Sequence, residues 1–232
     1  MLPREGEDVG LFVAGLCGLA VAMVLGVGST VFFGRWHARL KRVEPLLGER
    51  GSEYVRRLLA GSGYTVERGG RGWSRCDYGR RVVVLCSDAW QPGLDGVLVA
   101  AHEAGHALLD KGFAVRCASG AARTAIAACW LAAVLLSGWL GVPALAFLAV
   151  GGSLAVVGEM AVREVRACRF AREVVGRDFP GSACRVWVAA QTRAWIWHTA
   201  LVAVALGLFF ASLAGVLYAW AEVVWGGVLG RA

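Results

Sequence analysis

Two histidines stand four residues apart in Ala101-His102-Glu103-Ala104-Gly105-His106, with a glutamate directly after the first. On a helix this spacing puts both imidazoles on one face, one turn apart. They can then share a Zn²⁺ at about 2.0–2.1 Å, while Glu103, rotated roughly 100° from His102, reaches a water on the metal and not the metal itself. Zinc lowers the pKa of such a water towards about 7, and a neighbouring carboxylate takes its proton. The competing account is two hydrogen-bonded histidines on an ordinary apolar helix. Ala101, Ala104, Gly105 and Ala107 are small, which permits close packing of a second helix and approach of a further ligand.

A catalytic metal site needs a third protein ligand and one open position. After His106 the chain reads Ala-Leu-Leu-Asp-Lys-Gly, which lacks the glycine and third histidine of the HExxHxxGxxH arrangement. His37 and His198 sit at the edges of apolar runs and read as interfacial, with His198 a secondary candidate for a transition-state donor. The other solution is a glutamate on a later helix, and Glu159, Glu164 and Glu173 precede the last apolar run. Glu164 lies just past an apolar boundary and is favoured among the three. Its alternative role is a surface partner for neighbouring arginines.

The elements around the histidines follow from local signals. Val82-Val83-Val84-Leu85-Cys86 is a β-branched run bounded by Gly79 and Ser87-Asp88, which predicts a strand. Pro92-Gly93 breaks the chain, and a helix over 94–110 follows, with Asp95 in its first turn and Lys111-Gly112 as a stop. Upstream, Val55, Leu58 and Leu59 form an amphipathic stripe ending at Gly61-Ser62-Gly63. Tyr64-Thr65-Val66 predicts a second short strand, and residues 67–77 read as turn-like.

Beyond this segment the chain is dominated by apolar blocks. Hydrophobic residues make up 57% of the 232, far above the globular norm, and the 18% that are charged cluster between the blocks. Residues 9–33 form an uncharged run long enough to span a bilayer. Its leading segment MLPREGED is the wrong flank for a cleaved signal, so a retained helix is expected. Residues 124–158 carry no charge, and a single helix of that length would measure roughly 52 Å against a core of about 30 Å. The Gly- and Pro-containing stretch 137–143 is the natural break, giving a hairpin of two spans. Residues 196–221 make a fourth span, with Trp195, Trp197, Trp220 and Trp225 near its ends as interfacial anchors.

The expected fold is therefore mostly α and polytopic, with about four transmembrane helices and a small cytosolic α+β domain. Residues 1–33 hold the N-terminal flank and first span, and 34–123 the cytosolic domain with the strand and the HExxH helix. Residues 124–160 form the hairpin, 161–195 a cytosolic helical segment, 196–221 the fourth span and 222–232 a tail. Of the 24 basic residues, 22 fall in 34–123 and 161–195, and none lies in the hairpin turn. The juxtamembrane Arg35, Arg39, Lys41, Arg42, Arg123 and Arg163 put both segments in the cytosol by the positive-inside rule. That distribution accounts for the net charge of +7 through topology and lipid headgroups, and no aromatic–basic motif points to nucleic acid. The seven cysteines, Cys17, Cys76, Cys86, Cys117, Cys129, Cys168 and Cys184, show no C-x-x-C spacing. A zinc ribbon is thereby disfavoured, and a Cys76–Cys86 bridge is conceivable, although a cytosolic segment favours free thiols.

At this point the chain resembles the YugP-like family of bacterial membrane-bound neutral zinc metallopeptidases over about residues 35–210. The resemblance is carried by Leu58-Leu59-Ala60 through Val66, Cys76-Asp77-Tyr78, Leu85-Cys86-Ser87, Val97 through His106, and Glu164-Val165-Arg166-Ala167. It implies a zincin-like metalloprotease domain at the bacterial inner membrane, with Zn²⁺ held by His102, His106 and Glu164 and Glu103 as general base. Peptide or protein substrates, membrane proteins among them, are the implied partners besides the lipid bilayer. It also suggests that the strand near 82–86 lines the cleft and takes up an extended substrate at its edge. Two positions depart from the pattern: Arg166 stands where Asp or Asn is usual, and Arg75-Cys76-Asp77 replaces a His-Tyr-Asp triplet. The loss of a carboxylate that orients a ligand histidine predicts weaker zinc binding or activity. A zinc-bearing scaffold without catalysis is thus the alternative. An intramembrane site-2-type protease is disfavoured, because no aspartate lies between Asp110 and Asp178.

Overall fold

A computed structural model describes residues 5–70, 74–110, 120–140 and 142–228. Arg4, Lys111, Gly112, Cys117, Gly141 and Arg231 lie outside the described residues. The chain is mostly helical around one small sheet. In order the elements are α1 (Glu5–Lys41), α2 (Gly51–Leu58), β1 (Thr65–Arg68), β2 (Arg75–Asp77), β3 (Val82–Leu85), a 3-10 turn (Ser87–Trp90), α3 (Leu94–Leu109), α4 (Gly120–Leu140), α5 (Pro143–Asp178) and α6 (Ser182–Val228).

Contacts divide these elements into two units. One contains α1 up to Ser29, α4, α5 up to Glu159 and α6 from Ala200. Among the described residues, three helices are long and apolar enough to cross a membrane, over Gly10–Lys41, Pro143–Asp178 and Ser182–Trp225. The apolar part of α4, Ile126–Leu140, is shorter. Their outer side chains, such as Met23, Val24, Phe147 and Leu148, are exposed, a surface suited to lipid. The inner contacts use small residues. A Cβ on Gly15 would lie 2.6 Å from Val216 Cγ2, and one on Gly138 2.6 Å from Ala221 Cβ, so bulk at either position would push α6 away. The break expected at 137–143 is present. Ser137 Oγ donates to the Val142 carbonyl at 2.7 Å, and Pro143 opens α5, where its missing N–H costs nothing.

The second unit contains α1 from Thr30, α2, the sheet, α3, α5 from Met160 and α6 up to Thr199. Its sheet has the order β1-β3-β2, with β1 parallel and β2 antiparallel to β3. This corrects the expectation that the 82–86 strand is an edge: β3 is paired on both sides. All four of its residues are buried, the pattern of a central strand covered on both faces. The edge nearest the histidines is β2, three residues within the stretch expected to be turn-like. In the β2–β3 register Cys76 faces Val83, and Cys76 and Cys86 are free thiols.

Helix α3 is the centre of this unit, buried around nearly its whole circumference. Leu94, Val97, Leu98 and Ala101 pack with Tyr54, Val175 and Val188 in one core. Ala100, Ala104 and Ala107 pack with Val55, Val83 and Leu85 in another. Two close approaches fix its position. A Cβ on Gly51 of α2 would strike the Gly96 backbone, and one on Gly105 would lie 3.1 Å from both Ala167 Cα and Phe170 Cδ1 of α5. Helix α5 runs without interruption from its apolar half to Asp178, and Tyr54 donates to Asp178 at 2.9 Å to tie its end to α2.

Candidate metal centre

With two faces of α3 given to cores, the stripe Asp95, Val99, His102 and His106 is left facing a cavity. That cavity, about 700 Å³, is also walled by β2, α5, α6 and the end of α1. His102 and His106 follow from the i, i+4 spacing, and Glu164 reaches them because Gly105 lets α5 approach within backbone contact.

The three side chains converge. His102 Nε2 lies 3.1 Å from His106 Nε2 and 3.2 Å from Glu164 Oε2, and His106 Nε2 lies 3.3 Å from Glu164 Oε1. Ligands held at about 2.0–2.1 Å in a tetrahedron are about 3.3 Å apart, so these three atoms have the spacing of one face of a zinc-sized coordination sphere. The group His102, His106 and Glu164 can hold a metal ion. Glu159 and Glu173, the other glutamates weighed for this role, are exposed on α5.

The surrounding field favours a cation. Burial opposes charge on His106, but hydrogen bonds with Asp110 and Glu164 outweigh it and lift the imidazole to about 10. Burial would raise the Glu164 carboxyl, yet the two histidines hold it well below the usual carboxylate range. The same negative surroundings would attract a metal cation, whose binding requires that proton to leave. Glu103 is almost fully buried beside the triad, and burial pushes its carboxyl up against the pull of His102 and His106.

Around the three side chains is a layer of residues that the sequence did not single out. Asp110 Oδ2 lies 2.8 Å from His106 Nδ1, and it accepts from Tyr78 at 2.6 Å and from Arg163 at 2.8 and 2.9 Å. Arg163 also donates to the Tyr78 hydroxyl. Burial would raise the Asp110 carboxyl, but these donors hold it down at about 2. Its fixed negative charge selects the tautomer with Nδ1–H, which leaves Nε2 free for a metal. On the other histidine, His102 Nδ1 stands 3.6 Å from Cys168 Sγ, whose thiol is pushed up to about 12 by burial and stays neutral. An Nδ1–H there donates to sulfur. The sequence signal for Asp110 was its place one turn after His106 in HEAGHALLD.

Several expectations change here. Arg166 is exposed, and the carboxylate it was thought to cost the site is supplied by Asp110. Trp195, expected as a membrane anchor, stands edge-on to His102 with ring centroids 5.3 Å apart. His37 meets Gln191 Nε2 at 2.7 Å, and His198 stacks on Phe33 at 4.7 Å. Both histidines line the same cavity, with neither in the ligand group among the described residues. Comparison with models of protein families, with curated proteins and with solved structures gave no match.

Proposed function

We propose that this chain is a membrane-bound zinc endopeptidase whose site faces the cytosol of a bacterial cell, with α4 as a short fourth span. The observation that carries the reading is the mutual spacing of His102, His106 and Glu164, with a buried glutamate beside them. The likeness in motif order to the YugP-like zinc peptidases, and with it a zincin-like domain, supports the same reading.

When bound, zinc would polarise the scissile carbonyl and acidify a water. Glu103 would serve as the base, taking a proton from the water that adds to the carbonyl carbon and giving it to the amine nitrogen as the C–N bond breaks. A carboxyl whose burial raises its proton affinity suits this exchange. Asp110 and Cys168 hold the two imidazoles in orientation, and Tyr78 and Arg163 hold Asp110. Substrate pairing with β3 is precluded by its two neighbours, and of the two edges β2 is the one that lines the cavity.

The test is cleavage of an unstructured peptide by the purified full-length chain and by Glu103→Gln, with zinc measured in both. Cleavage lost with zinc retained is the expected outcome. Equal zinc and no Glu103-dependent cleavage by the parent would favour the zinc-bearing scaffold.

A further inference from the structure

We infer that the cleft receives polypeptide as it leaves the bilayer, so that the bonds cut lie within a few residues of a membrane-spanning segment of the substrate. The inference rests on the peptidase reading above and names its substrate class.

The cavity that holds the ligands does not end at them. It is also lined by Thr30 and Phe33 of α1 and by His198 and Thr199 of α6. All four belong to the apolar runs 9–33 and 196–221, the stretches whose composition suits the hydrocarbon. Phe33 and His198 stack at 4.7 Å, which joins the two helices at that level. Trp195, in contact with His102, directly precedes Ile196, where the apolar run of α6 begins.

Helix α5 gives an independent measure. Its apolar run ends at Gly158, and Glu164 follows six positions later on the same uninterrupted helix. At 1.5 Å per residue this is at most about 9 Å along the bilayer normal, and less with tilt. The headgroup layer is itself roughly 5–7 Å deep on each side. The ligands therefore sit no farther out than about the outer edge of the headgroups. An extended chain advances about 3.3 Å per residue, so a bond at the metal lies about three residues from the hydrocarbon.

A segment emerging from a span reaches this depth unaided and is held there at high effective concentration. A soluble chain must instead bring its backbone down to the lipid. The cavity wall suits the first case, since Phe33, Val99 and Trp195 present apolar surface to the residues that flank a span.

The experiment uses the full chain with zinc, reconstituted in vesicles with a single-span protein. The cytosolic tail of that protein is one short sequence repeated many times, so distance from the membrane is the only variable. Cut positions are mapped by mass spectrometry, and the same repeat is supplied as a free peptide. Cuts in the first repeats outnumbering distal ones by about tenfold or more, with the free peptide cut far more slowly, is the expected result. Cuts spread evenly along the tail, with the free peptide cut as fast, would overturn the inference and leave the peptidase reading intact. A photo-crosslinker at position 33 in the Glu103→Gln chain gives a readout without turnover. Adducts to the repeat next to the span support the inference, and adducts to distal repeats or none overturn it. Absence of cleavage from tail and free peptide alike would count against the peptidase reading itself.

Discussion

His106 Nδ1 and Asp110 Oδ2 meet at 2.8 Å, one turn apart at the end of α3, and the aspartate is almost wholly buried. The pair aims the opposite nitrogen of His106 at the ligand group. Replacing Asp110 by Asn leaves the shape but removes the charge. Zinc affinity is expected to fall by about 10–100-fold, measured by competition with a chelator. An unchanged affinity would show that the pair has no bearing on the metal.

Gly105 faces Ala167 and Phe170 so closely that a side chain would need α5 to shift, and this contact brings Glu164 to the histidines. Gly105→Val is expected to destabilise the protein by about 1–3 kcal/mol and to lower bound zinc, with Gly105→Ala milder. Thermal unfolding and metal analysis of the detergent-purified chain check both. A valine variant with parental Tm and zinc would mean that α3 and α5 are not in close contact.

Arg166 is exposed on α5. Arg166→Ala is expected to keep zinc content, and cleavage within about twofold of the parent, as for an ordinary surface substitution. A tenfold loss would give this arginine a part in the site after all.

Metal removal is expected to lower Tm in the parent, with restoration on adding Zn²⁺, because a ligand bound only by the folded chain stabilises it by about 2.7 kcal/mol at a hundredfold excess over Kd. His102→Ala and Glu164→Ala should show little response to either treatment. A parental response in Glu164→Ala would remove it from the ligand set.

Reporter fusions at Gly70 and at the C-terminus test orientation. The expected pattern is a cytosolic signal at the first and an external one at the second. An external signal at Gly70 would reverse the site's side. A cytosolic C-terminus would rule out the four-span arrangement.

What the sequence made legible was whatever a local rule governs. The i, i+4 histidines, the helix around them, the break at 137–143 and the buried run 82–85 all appear where periodicity and turn residues place them. What it hid depends on contacts distant in the chain. The strand Arg75–Asp77 has no apolar alternation and exists because β3 offers an edge. Asp110 read as the close of a helix, since only Tyr78 and Arg163, from elsewhere in the chain, make it a fixed charge. Trp195 read as a membrane anchor because its proximity to an apolar run was visible and its proximity to His102 was not. The central place of β3 had a signal, four consecutive apolar residues with no polar alternation, which marks a strand covered on both faces.

His106 and Glu164 are separated by 58 positions, and α4 and the apolar half of α5 lie between them. During synthesis at about 5–20 residues per second, the histidines emerge from the ribosome several seconds before the glutamate. Throughout that interval the nascent chain carries both histidines without Glu164. Assembly of the ligand group thus waits on translation of α4 and of the apolar half of α5, so those two stretches are made before the three side chains can meet.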